Sequence, residues 1–288
     1  MKKILLLGAN GQLGTDICFV FSSFPQYKII KVYRRDLDVE KNDIHSFLSQ
    51  IEFDIIINCT SYHKTDECED FPAKSLVINS LAIGEIAKYC REHDKVLFHF
   101  TTDYLFDGKK SQPYRETDTP NPLNVYGISK LTGEHFIKNH LDKYFIFRVS
   151  SLFGKAGASG KGGNFVETMI QLGKQGSTIK VVNDQVMSPT HTLEIARAVF
   201  AFIDQDIQEY GVYHCSGEGE CSWYDFAKEI FDQLNMEIDL VPVSHSNYPA
   251  KAKRPSYSVL DNVKINEIYQ MVNWKSSLTE YLSRKGHL

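Results

Sequence analysis

No CxxC pair occurs among the six cysteines, Cys18, Cys59, Cys68, Cys90, Cys215 and Cys221, which excludes a zinc ribbon and a thioredoxin-like redox motif. Scattered in apolar-looking segments, they read as small buried hydrophobes in a reducing cytoplasm. The ten histidines show no HExxH or other close zinc spacing, so His63, His99 and His191 read as hydrogen-bonded structural groups and no protein-bound metal is expected. Charge of one sign is also lacking. With 36 acidic against 32 basic side chains the formal net charge is −4, too weak a field to gather nucleic acid or an anionic membrane. Long apolar runs are absent as well: Ile4–Leu7 ends at Gly8, too short for a signal sequence or a membrane span. A soluble, unprocessed, cytoplasmic protein with neither nucleic-acid nor membrane partner is expected. There is no internal repeat, low-complexity tract or heptad pattern.

What is present is alternation. Short apolar runs at 3–7, 28–33, 54–59, 95–101 and 144–149 read as strands covered on both faces. Segments of helical period at 12–21, 44–51, 72–91 and 125–139 fall between them. The expected fold class is α/β, a Rossmann-like doubly wound parallel sheet with a smaller C-terminal substrate-binding lobe. Residues 1–153 are assigned to the nucleotide-binding domain, and 181–210, with a helix at 192–203, to a segment packing back onto it. Residues 154–180 and 211–288 are assigned to the lobe. Its glycine-rich stretch 154–163 reads as a flexible loop able to order over a ligand.

Gly8-Ala-Asn-Gly11-Gln-Leu-Gly14 follows the first strand and opens the first helix. Gly8 permits a tight turn, Gly11 lets backbone amides approach a pyrophosphate, and Gly14 allows close helix–sheet packing. At the end of the second strand Arg34 and Arg35 stand where NAD sites usually carry a carboxylate. They could grip a ribose 2′-phosphate, favouring NADP(H) with NAD(H) still open, or be a solvated surface pair.

Tyr126-Gly-Ile-Ser-Lys130 places a phenol and an ammonium one helical turn apart, a spacing from which Lys130 is expected to lower the Tyr126 pKa and make it a usable proton donor. Thr102, at the end of the fourth strand, would add a hydroxyl beside the cofactor.

These motifs, with Asn58 through Tyr62 to Asp66 and Glu69, Thr102-Asp-Tyr-Leu-Phe-Asp-Gly108, Pro120-Asn-Pro-Leu-Asn-Val-Tyr-Gly127, Gly163-Asn-Phe-Val166, Val182-Asn-Asp-Gln185, Ser188-Pro-Thr190 and Arg254-Pro-Ser-Tyr-Ser-Val-Leu-Asp261, resemble the dTDP-4-dehydrorhamnose reductase family of extended short-chain dehydrogenases over nearly the whole chain. The resemblance implies an NADPH-dependent reductase of a nucleotide-linked 4-keto-6-deoxy sugar with Thr102, Tyr126 and Lys130 as catalytic trio. It implies a cofactor site of Gly8, Asn10, Gly11, Gln12, Leu13, Gly14, Arg34, Arg35, Asp38, Val39, Cys59, Thr60, Ser61, Tyr62 and Asn79, together with Tyr126 and Lys130. On the substrate side it implies Asp103, Tyr104, Leu152, Asn164, Gln185, Arg254 and Tyr257, with Arg254 meeting the diphosphate or, on sequence alone, sitting in a surface turn. A homodimer is compatible with it. Some relatives use magnesium at a subunit contact, but its carboxylates cannot be placed in this sequence. The run Ser151-Leu-Phe-Gly154 departs from the family, which usually has a tryptophan where Leu152 stands, so a different 4-keto sugar or nucleotide stays open. Asp103 is followed by Tyr104 rather than by the glutamate a dehydratase would carry. A sugar-nucleotide epimerase and a non-catalytic NADP-binding regulatory subunit, as found beside methionine adenosyltransferase, remain alternatives.

Overall fold

In the first strand, β1 (Lys2–Leu7), the apolar run is covered on both faces: Ile4 and Leu6 enter one core while Leu5 and Leu7 enter another. β1 joins β2 (Tyr27–Val32), β3 (Ile55–Asn58), β4 (Val96–Thr102), β5 (Tyr144–Val149) and the Gly211–His214 strand in one six-stranded parallel sheet. The order is β2, β1, β3, β4, β5 and then Gly211–His214. The chain reverses its direction of travel across the sheet between β1 and β3, so a crevice opens at their carboxyl ends, where doubly wound sheets bind ligands. The computed structural model describes residues 1–157, 163–248 and 250–288. Residues 158–162, the middle of the glycine-rich stretch expected to order over a ligand, lie outside them.

α1 (Gln12–Phe21) covers one face of the sheet. On the other lie α2 (Ile44–Leu48), α5 (Ala82–Glu92) and α6 (Val125–His140), which contribute Ile44, Leu48, Ile83, Ile86 and Ile137 to the second core. α3 (Thr65–Asp70) and α4 (Pro72–Leu76) lead into α5 through a π-helical turn, Val77–Leu81. The single helix expected over 72–91 is thus interrupted at a place where such bulges often mark function.

α7 (Phe165–Lys174) opens the smaller lobe, and α8 (Thr192–Asp204) returns to pack beside α1. α9 (Trp223–Gln233) and α11 (Trp274–Lys285) complete the lobe core with the paired strands Ile179–Val182 and Leu240–Val243. Two boundaries differ from the sequence reading. Gly211–His214, assigned there to the lobe, is an edge strand of the main sheet, and Ile265 of α10 (Val263–Asn266) and Met271 enter the same core. Conversely, Val181 and Met187 belong to the lobe core. The four residues Gly-Val-Tyr-His are too short and mixed to signal a strand; β5, along which they pair, supplies what the local pattern lacks.

Candidate active site

At the turn after β1, Gly8 has φ +76°, a conformation that glycine adopts freely, and it lies against the backbone of Cys59 and Thr60. A Cβ on Gly14 would stand 2.3 Å from the Gly8 carbonyl oxygen, so glycine at 14 is what lets α1 start there. Gly11 is the N-cap of α1 and no side chain caps that end. The amides of the first turn can therefore receive a pyrophosphate, which is the fit expected of a dinucleotide site. Leu13 points into the core, so only its backbone can take part, whereas Asn10 is exposed. Gln12 donates to the Leu152 carbonyl at 3.2 Å, and Val39 packs on the second core.

The segment after β3 is held from below. Asn58 accepts from both the amide and the hydroxyl of Thr60, and burial pushes the Cys59 thiol up, out of reach of ionisation at neutral pH. Asn79, buried in the π turn, accepts from the Tyr62 amide at 2.9 Å and donates to the Tyr62 carbonyl and the Ser129 hydroxyl, each at 3.0 Å. Its amide is engaged at both ends, so it shapes the Ser61–Tyr62 loop. Arg34 and Arg35 are exposed at the end of β2. Arg34 lies between Asp38 (3.3 Å) and Glu40 (3.5 Å), and Arg35 leans over the Tyr33 ring beside Asp36. Exposed pairs of this kind hold weakly and can be exchanged for a phosphate.

Tyr126 occupies the first turn of α6, which Asn124 caps by accepting from the Gly127 amide at 2.8 Å. A Cβ on Gly127 would meet the Tyr104 carbonyl oxygen at 2.3 Å, so glycine there brings Tyr126 against the end of β4. The Thr102 and Ser61 hydroxyls lie beside the phenol, and the Tyr104 ring stands edge-on 6.3 Å away. The expected electrostatics differ: desolvation, then the nearby Asp103 charge, raise the Tyr126 pKa, while Thr102 and Ser61 pull it down. Lys130 is not the group that lowers it. Its ammonium donates to the Phe100 carbonyl at 2.7 Å, and burial lowers its own pKa to about 8. One turn further, Glu134 accepts from Thr101 (2.8 Å) and from Arg148 Nε (2.9 Å) and Nη2 (2.8 Å). Despite full burial, Arg148, Lys138 and Thr101 hold its pKa at about 2.

A pocket lies between this end of the sheet and the lobe, with Tyr104, Gln185, Trp223 and Ser258 on its wall. Tyr104 and Gln185 were expected there, whereas the other substrate-side candidates have different employment. Asp103 is buried and accepts from Ser258 (2.5 Å), Ser150 (3.0 Å) and Thr102 (3.1 Å); desolvation outweighs those donors and raises its pKa to about 6. It organises the wall from behind. Asn164 caps α7 and donates to the Gly154 carbonyl and Tyr281, leaving no free amide hydrogen directed at a ligand. Leu152 packs against the main core, Tyr257 donates to Glu220 at 2.6 Å, and Arg254 pairs with Asp66 at 2.8 Å and donates to the Ala252 carbonyl at 3.2 Å. Sequence reading missed Trp223, Ser258 and Ser150. The Ser222-Trp-Tyr-Asp225 capping box was readable as a helix start, but which way its first residue faces was not.

Residues 1–286 match the family model described as RmlD substrate binding domain. The chain belongs to this family. Among its relatives, the spore coat polysaccharide biosynthesis protein SpsK of Bacillus subtilis is 34% identical over 99% of both chains. The dTDP-4-dehydrorhamnose reductase of Aggregatibacter actinomycetemcomitans is 34% identical over 96% of this chain and 97% of its own. The crystal structure of dTDP-4-dehydrorhamnose reductase from Bacillus anthracis in complex with NADP superposes with a TM-score of 0.91 at 36% identity, covering 99% of this chain and 100% of that one. Among the described residues of this family member, no three His, Cys, Asp or Glu side chains gather to hold a metal ion. No helix among them is long and apolar enough to cross a membrane.

Proposed function

We propose that this protein is an NADPH-dependent reductase of the 4-keto group of a dTDP-linked 6-deoxyhexose, acting in the cytoplasm. The observation that carries the reading is the Tyr126 phenol, with the Thr102 and Ser61 hydroxyls beside it and the Tyr104 ring, on the wall of the pocket under the lobe, edge-on to it at 6.3 Å. The named relatives support the substrate class, and the NADP complex of the Bacillus anthracis enzyme, with Arg34 and Arg35 at the end of β2, supports NADPH over NADH. The uncapped start of α1 would hold the pyrophosphate, and the arginines the 2′-phosphate. When bound, NADPH supplies the hydride that the keto carbon accepts. Tyr126, whose raised pKa keeps it protonated at neutral pH, delivers its proton to the oxygen as that oxygen becomes an alkoxide. The neighbouring Thr102 and Ser61 hydroxyls favour the phenolate left behind. Lys130, protonated below about pH 8, adds a positive charge one turn away.

NADPH oxidation across a panel of dTDP-4-keto-6-deoxy sugars tests the reading. Tyr126→Phe should lose about 10²–10⁴ in turnover with NADPH affinity and melting temperature kept. Wild-type turnover in that variant, or no turnover of any panel member by the native protein, would remove the proposal.

A further inference from the structure

We infer that Trp223 is the specificity-determining aromatic face of the sugar subsite, the wall that position 152 was expected to provide. The inference rests on the reductase reading above. The keto carbon has to lie beside the Tyr126 phenol for proton transfer. The part of the nucleotide sugar that meets the pocket wall is therefore the hexose, because Tyr104 on that wall stands against Tyr126, and Ser258 on it is bonded to Asp103, the partner of Thr102.

Trp223 is rigidly presented. It is the first residue of α9, whose start is fixed by reciprocal bonds between Ser222 and Asp225, and its indole packs 4.8 Å from the ring of Phe165. Phe165 in turn follows Asn164, which is tied to Tyr281 of α11. Leu152 is turned elsewhere: next to Ser151, at φ +45°, its partly buried side chain packs against the main core. A non-glycine residue held in that conformation is a strain that clusters at ligand sites. The wall is thus chemically two-sided, with the Gln185 amide and the Ser258 hydroxyl for sugar hydroxyls, and the indole face for ring C–H groups and the methyl of a 6-deoxyhexose.

The test measures equilibrium binding of dTDP-L-rhamnose, dTDP and NADPH to the native protein, Trp223→Leu and Trp223→Phe, together with the KM for the reducible keto sugar. Trp223→Leu should weaken dTDP-L-rhamnose and raise that KM about ten- to a hundredfold, leaving dTDP and NADPH unchanged, while Trp223→Phe keeps most of the affinity. If Trp223→Leu fails to fold, the fluorescence of Trp274→Phe protein decides, because the chain has two tryptophans and Trp223 is then its one indole. Saturable quenching by dTDP-L-rhamnose but not by dTDP supports the inference. Unchanged sugar-nucleotide affinity in Trp223→Leu, equal losses for dTDP and dTDP-L-rhamnose, or no differential quenching would overturn it. A native protein that binds no dTDP-6-deoxyhexose would overturn the reductase reading as well.

Discussion

Glu134→Gln is the sharpest probe of what supports the active-site helix. Glu134 and Arg148 are 0% and 2% exposed, so solvent does not screen their attraction, and Thr101 and Lys138 complete the ring of donors. A glutamate held at about 2 instead of the ordinary 4.5 contributes about 3 kcal/mol at 1.36 kcal/mol per pH unit. That agrees with the roughly 3–5 kcal/mol expected when a buried pair loses one partner. The amide of glutamine fits the space but leaves Arg148 with an uncompensated buried charge. Urea unfolding followed by circular dichroism should therefore show the variant about 3 kcal/mol less stable at pH 7. The folded pKa is depressed, so the contribution is fully present above about pH 4.5 and is lost as pH falls toward 2. At pH 3 the gap between native protein and variant should shrink to roughly half or less. A gap below about 1 kcal/mol at pH 7, or one equally large at pH 3, would refute the reasoning.

Replacing Arg34 and Arg35 together with alanine should weaken NADPH about ten- to a hundredfold while leaving NADH nearly unchanged; parallel titrations giving equal changes would show that neither arginine reads the 2′-phosphate. Gly14→Ala forces a methyl to within 2.3 Å of the Gly8 carbonyl oxygen. It should lower stability by about 1–3 kcal/mol and abolish tight NADPH binding, and normal melting with normal affinity would exclude the close approach at the turn.

The strands of the main sheet were legible where continuous apolar runs met a glycine turn, and Tyr126 and Lys130 where helical spacing fixed their separation. What escaped the sequence depended on partners distant along the chain. Gly211–His214 becomes a strand only beside β5. Asp103, expected on the substrate side, accepts from Ser150 and Ser258, partners that no local pattern announces. Asn164 and Arg254 carry side chains equally suited to substrate and to self-bonding, and only the fold shows Tyr281 and Asp66 waiting for them. The effect of Lys130 on Tyr126 was inferred from proximity alone, but direction matters as much: the ammonium points at the Phe100 carbonyl.

The segment around Arg254 is fastened to α3 by Arg254–Asp66, by Lys251–Asp70 at 2.6 Å and by the Ala252 amide on Asp66 at 3.0 Å. An anionic ligand that reaches Arg254 consequently enters by exchange, displacing a carboxylate rather than meeting a bare cation. In such an exchange the number of neutralised charges is nearly the same before and after. Attraction at long range is muted, and discrimination falls on geometry: a diphosphate offering several oxygens can replace Asp66 at the guanidinium, whereas a monovalent anion gains little by doing so.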